Sequence, residues 1–233
     1  MAIHYNSKIS TDGLVLCLDA GNTKSYPGSG TTWTDLSGNG NNGTLTNGPT
    51  YNSENGGSIV LDGTNDVVVV PHNSSQNPTE ITICSWVNPT DLLNLSAKNP
   101  NFIGKSGNSG YRMRINGGFG DASIGSILFL DRGGTNLIIT SDELVFSGSW
   151  YFIVGTGSAS GLKIYLNGTL QASNTTSFGG FNATGDLAIG AENSTLSFSE
   201  QFYGKISQTL LYNRELTAAE IQQNFNATRS RYI

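Results

Sequence analysis

Residues 203–221 read YGKISQTLLYNRELTAAEI, and this one segment holds a long apolar run, a turn and the start of a helix. The run up to Arg214 is strand-like. After it, Thr217 followed three residues later by Glu220 forms a capping box, and Ile221 and Phe225 at i and i+4 make one apolar stripe. The spacing predicts a helix over ELTAAEIQQNF, about two and a half turns. A helix that short is marginal alone, so it must dock against whatever the strands build.

Working outward, the chain repeats short apolar runs bounded by Gly, Asn, Asp, Ser and Pro: LVLCLDA from 14, SIVLDG from 58, DVVVV from 66, ITICSWVNP from 81, NFIGKS from 101, YRMRING from 111 and SILFLD from 126. LIIT from 137, WYFIVGT from 150, LKIYLNG from 162, TLQAS from 169 and LAIGA from 187 continue the series. So many short strands at this spacing predict two packed antiparallel sheets, an all-β jelly-roll sandwich with one short C-terminal helix. Asn167-Gly168, between LKIYL and TLQAS, supplies the positive φ angles of a type I′ hairpin. The Asn/Gly-rich stretch SGNGNNGTLTNGPTY at 37–51 reads as an ordered, tightly turning connection anchored by Leu45. Its Asn-Gly pairs at 39, 42 and 47 offer left-handed turn positions.

Composition excludes several classes. The 233 residues carry a net charge of −5, with 12% charged, 36% hydrophobic and 30 glycines, a turn-rich chain rather than a helical or disordered one. No basic patch suits a phosphate backbone, which argues against nucleic acid. No apolar run approaches the ~20 residues of a membrane helix. The N-terminus lacks a basic start, and LVLCL is too short for a leader core, so Sec-type secretion is not supported. Cys17 and Cys84 lie in apolar runs without a metal-binding spacing, which predicts buried free thiols; a disulfide between them is the alternative.

The order of GLVLCLDAGN, LDGTND, ITICSWVNP, GSWYFIVGT, GLKIYLNGTLQAS and LLYNRELTAAEI resembles the laminin G-like, concanavalin A-like jelly-roll domains over about residues 12 to 225. More narrowly, the texture and the NFNATRSRYI ending resemble the stand-alone versions found as virion components of tailed, marine bacteriophages. The resemblance implies a domain over 12–226 between an N-terminal arm (1–11) and a C-terminal tail (227–233). Trp86 and Trp150 are then expected as core residues of facing sheets.

Catalysis finds little support. Retaining glucan hydrolases need two carboxyl groups about 5–5.5 Å apart, and their E-x-D-x-E strand is absent; Asp142-Glu143 is adjacent and would point to opposite faces. Two histidines, His4 and His72, supply neither a zinc cluster nor a triad. The expectation is no enzymatic activity. Asp19, Asp62 and Asp66 are oxygen ligands of the kind calcium accepts, a candidate structural calcium site; the alternative is that Asp62 and Asp66 shape a turn by bonding backbone N–H groups. Glycan binding is the other activity the resemblance implies, with Trp33 and Tyr51, and secondarily Tyr26 and Phe119, as loop aromatics for a sugar face. A particle-borne protein of this kind is expected to form a homo-oligomer and to dock on other virion proteins. His4, Tyr5, Lys8, Arg229, Arg231 and Tyr232 are the candidates for docking.

Overall fold

The Ile81–Pro89 strand is buried along all nine residues, and the molecule is arranged around it. The computed structural model describes residues 8–92, 99–105, 110–117, 123–131, 137–141, 143–175, 177–178, 180, 182–194 and 197–233. His4, Tyr5, Phe119 and Asp142 lie outside the described residues.

Two eight-stranded antiparallel sheets form a sandwich. The first runs, in spatial order, Thr169–Ser173, Gly161–Leu166, Tyr151–Ser158, Ile81–Pro89, Tyr203–Tyr212, Ser58–Asp62 and Thr50–Asn52, with Leu14–Asp19 also paired to Tyr203–Tyr212. The second runs Leu137–Thr140, Ile127–Asp131, Tyr111–Ile115, Asn101–Lys105, Leu187–Ile189, Val67–Val70, Gly43–Thr46 and Thr32–Trp33. Both halves of Tyr203–Tyr212 are used on one edge. Its first half pairs with Ser58–Asp62 and its second with Leu14–Asp19, while its other edge pairs with Ile81–Pro89.

Period-2 alternation sorts side chains between two cores. Ile81, Ile83 and Val87 point between the sheets, where they meet Met113, Phe129, Ile153 and Leu211. Cys84 and Trp86 point to the outer face of the first sheet, joined by Cys17, Phe152, Val154, Leu210 and Tyr212. The C-terminal helix, Ala218–Thr228, covers that face with Ile221 and Phe225. Its capping box is formed as predicted, Thr217 Oγ1 accepting from the Glu220 amide and Glu220 accepting from the Thr217 amide. Trp86 and Trp150 therefore do not sit on facing sheets. Both lie beneath the helix in the same outer cluster.

The helix continues beyond the predicted Phe225, and a 3₁₀ turn, Arg229–Arg231, follows it. Phe225 and Tyr232 prolong the stripe begun at Ile221, so the segment read as a C-terminal tail packs on the sandwich through Tyr232. The Tyr232 ring stacks on Trp86 at 4.2 Å and meets Trp150 at 4.9 Å. Cys17 and Cys84 are free thiols, facing Leu210 from either side. Two strand spacings put them about 9.6 Å apart, beyond the ~7 Å a disulfide spans. Burial pushes the Cys17 thiol up to about 12 and that of Cys84 higher still.

The 167–168 hairpin has both residues at positive φ, +51° and +84°. In the 37–51 stretch, Gly40, Asn47 and Gly48 make left-handed turns, while Gly43 is extended within a strand. Leu45 is buried between the sheets. The segment's polar side chains close the open edge of Leu14–Asp19. Asn41 Nδ2 donates to Val15 O at 2.7 Å and Asn39 Nδ2 to Leu14 O at 3.2 Å, while the Cys17 amide donates to Asp35 Oδ1 at 2.8 Å. An exposed strand edge would otherwise be free to pair with another chain.

Candidate functional site

The outer face of the first sheet lies under the helix, and the outer face of the second carries a secluded set of charged side chains. On the Tyr111–Ile115 strand, Tyr111, Met113 and Ile115 point inward. Arg112 and Arg114 therefore share the outward face, opposite Gly104 and Asn101 of the neighbouring strand. Two glutamates from the following connection meet them. Glu192 contacts Arg112 Nη1, and Glu200 Oε2 lies 3.6 Å from Arg112 Nη1 and 3.7 Å from Arg114 Nη1. Asn101 Nδ2 donates to Glu200 Oε2 at 2.8 Å.

This cluster is secluded for so charged a group. The Arg112 and Arg114 side chains are 7% and 14% exposed. Burial raises the Glu200 pKa, the Asn101 hydrogen bond opposes that, and the Glu192 charge raises it further. Glu200 also holds a left-handed φ of +50°, uncommon outside Gly and Asn. Nε of Arg112, Nε of Arg114 and Oδ1 of Asn101 are buried without a hydrogen-bond partner among the described residues. Buried polar atoms in that state are few in native proteins, and a bound ligand is one way to complete them. Glu192 and Glu200 both approach Arg112 Nη1, close enough for the Glu192 charge to raise the Glu200 carboxyl.

The residues singled out from sequence fall elsewhere. Asp62 caps its own turn, accepting from the amides of Thr64 and Asn65 at 2.8 and 3.2 Å, and Asp66 Oδ2 accepts from the Asp62 amide at 3.1 Å. Burial would raise the Asp62 carboxyl, but those backbone N–H groups hold it below its ordinary value; burial raises Asp66. Asp19 faces Gln208, whereas Asp62 faces Tyr203, five residues along the same strand. Asp19 is occupied by Arg231 Nη1 at 2.7 Å, Gln208 Nε2 at 3.1 Å and the Gly21 amide at 2.9 Å. The three aspartates are not gathered into a cage, and no group of three or more His, Cys, Asp or Glu suited to a metal occurs among the described residues.

Trp33 is fully buried between the sheets, which removes it as a sugar platform. Tyr26 is buried too, its hydroxyl donating to Gly30 O at 2.8 Å. Tyr51 is half-buried and packs on Tyr26 with centroids 5.5 Å apart. Tyr232 is buried, Arg231 is half-buried and paired with Asp19, and Arg229 is exposed, over the Phe225 ring at 5.7 Å. Glu143 is exposed and bonded to Gln171. Sequence reasoning missed the charged cluster. Its one local signal was Arg112 and Arg114 alternating with apolar residues in YRMRI, a charged outward face in a chain poor in charge.

Fold and sequence together place the chain in a family. Residues 62–222 match the laminin G-like model described as the concanavalin A-like lectin/glucanases superfamily, and the chain belongs to that superfamily. Among curated proteins, none matches its sequence. Similar solved structures include the binding domain of Paraclostridial Mosquitocidal Protein 1, with a TM-score of 0.71 and 20% identity over 93% of this chain and 52% of that one. Domain 4 of AbnA, an extracellular GH43 arabinanase from Geobacillus stearothermophilus solved with arabinotriose, gives 0.68 and 19% over 91% and 97%. The ligand-binding domain of botulinum neurotoxin serotype D, solved with N-acetylneuraminic acid, gives 0.71 and 16% over 92% and 51%. The chain spans about half the length of these toxin domains. At such identities the likeness is one of fold.

Proposed function

We propose that this protein is a non-enzymatic, lectin-like module that binds a glycan on the outer face of its second sheet. The observation that carries the reading is the charged cluster on that face, in which Nε of Arg112, Nε of Arg114 and Oδ1 of Asn101 are buried without a hydrogen-bond partner among the described residues. Guanidinium forks, an amide oxygen and carboxylates are the groups that pair with sugar hydroxyls, and with a sugar carboxylate through the arginines. The likeness to an arabinanase domain and a toxin domain, each solved with a saccharide, supports it. The missing E-x-D-x-E strand supports binding over hydrolysis.

A glycan array tests the reading, followed by calorimetry with the hits on the protein and on its Asn101→Ala and Arg112→Met variants. Affinity reduced about tenfold or more in both variants is expected, each losing at least one charge-assisted or buried hydrogen bond. Hits unaffected by either variant, or none at all, would overturn it. The setting we propose is the surface of a phage particle, head or tail, as symmetry-related copies; the sequence's resemblance to stand-alone phage domains supports this. Cryo-electron microscopy of purified particles lacking this density would sink it.

A further inference from the structure

We propose that a second pocket, between the Gly43–Thr46 strand and the turn at residues 71–73, is a binding site for a neutral, hydroxyl-rich ligand, a saccharide. It stands independently of the charged cluster, on the opposite edge of the second sheet. The pocket is an open cleft of about 410 Å³ whose lining includes Thr32, Asn42, Thr44, Pro71, His72 and Asn73. That volume lies within the range of small-molecule sites. Among the described residues, no Lys, Arg, Asp or Glu lines it. With no charged side chain in the lining to pair with an ionic ligand, the hydrogen-bonding groups suit an uncharged one.

Its hydrogen-bonding groups are already oriented. The Asn42 side-chain oxygen accepts from the Asp35 amide at 2.9 Å, and that of Asn73 from the Ser75 amide at 3.0 Å. Each oxygen secures its own loop, which leaves both Nδ2 groups as donors. Thr32 and Thr44 are cross-strand neighbours, adding hydroxyls that both donate and accept.

His72 is set from behind by a buried lysine. Lys105 Nζ sits 2.8 Å from Gln76 Oε1, 2.7 Å from Gly185 O and 3.1 Å from His72 Nδ1. An ammonium has three protons and no lone pair, so all three are spent and Nδ1 must accept. The imidazole proton then resides on Nε2, making the ring a donor to the occupant. The His72 amide, donating to Asp186 Oδ1 at 2.8 Å, holds the backbone at the same point. Lys105 is thus a positioning residue, and the ring, two amides and two hydroxyls form a donor-rich wall suited to sugar oxygens.

The test is calorimetric titration of the full chain with cellotriose, maltotriose and mannotriose, beside the anionic 3′-sialyllactose. Asn42→Asp and Asn73→Asp keep the oxygens that hold the loops but remove the amide protons. Binding of at least one neutral trisaccharide is expected, weakened about tenfold by either variant. Nitrogen-15 NMR should show the His72 proton on Nε2, and Lys105→Met should yield a mixture of tautomers together with weaker binding. No binding of any neutral trisaccharide, binding indifferent to both asparagine variants, or a proton on Nδ1 in the unaltered protein would each overturn the proposal. Failure of the charged-cluster reading shows separately, as sialyllactose binding that is absent or insensitive to Arg112→Met.

Discussion

Replacing Tyr232 with alanine tests whether the last residues of the chain are part of the fold. The ring is 9% exposed, stacked on Trp86 and tilted against Trp150, and its hydroxyl is 2.7 Å from that of Ser207. Truncating a large buried aromatic costs about 3–5 kcal/mol. The lower end applies, because the ring already reaches the surface and the cavity can open to water. Ser207 keeps the Gly57 carbonyl as acceptor at 2.5 Å, so its hydroxyl donor is not orphaned. The working value is about 3 kcal/mol, a large share of the ~5–15 kcal/mol that holds a typical domain together. Tyr232→Phe, which removes only the hydroxyl, should cost about 1 kcal/mol. Urea unfolding followed by tryptophan fluorescence measures both, and the alanine variant should lower the midpoint by about 1 M at an unchanged slope. Tyr232→Ala within about 0.5 kcal/mol of the parent, the usual spread of surface substitutions, would restore a free tail and refute the packing of Tyr232 against the two tryptophans.

Four further outcomes are expected. Asp35→Ala should cost about 2–3 kcal/mol in the same urea assay, because the carboxylate accepts the amides of Cys17, Ser37 and Asn41 and would leave them unpaired. Glu220, held down to about 2 by Arg214 and its capping bonds, has a folded pKa below its unfolded value; its stabilisation is complete above 4.5 and lost as pH falls towards 2, so Glu220→Gln should flatten the stability profile across that window. Burial lowers Lys105 to about 8 from 10.5. The unfolded chain then binds more protons between those values, so stability should rise with pH from 8 to 10.5, and Lys105→Met should remove that slope. Calcium and EDTA should leave the melting temperature unchanged, since Asp19, Asp62 and Asp66 already have protein partners; a clear upward shift with calcium would show a site that this geometry does not provide.

What the sequence made legible was local, and what it hid was non-local. The Thr217/Glu220 cap, the Asn167-Gly168 hairpin and the strand character of 203–214 each depend on neighbours within four residues, so period and turn chemistry reveal them. The 37–51 stretch was half legible. Its left-handed turns at Asn47 and Gly48 follow from residue type, but its bonding to the edge of Leu14–Asp19 depends on a strand more than twenty residues away. Trp33 looked like a loop aromatic because Gly and Asn surround it; the two-residue strand that buries it is defined only by pairing with Gly43–Thr46. The charged cluster is the extreme case. Arg112 and Glu192 stand eighty residues apart and meet only because Leu187–Ile189 pairs with Asn101–Lys105, which carries the chain that follows it over the two arginines. A strand's alternation says that Arg112 and Arg114 face outward together, and only the strand order says what faces them. Glu192 and Glu200 converge across a connection rather than along a pleat, so no alternation within one strand places them together.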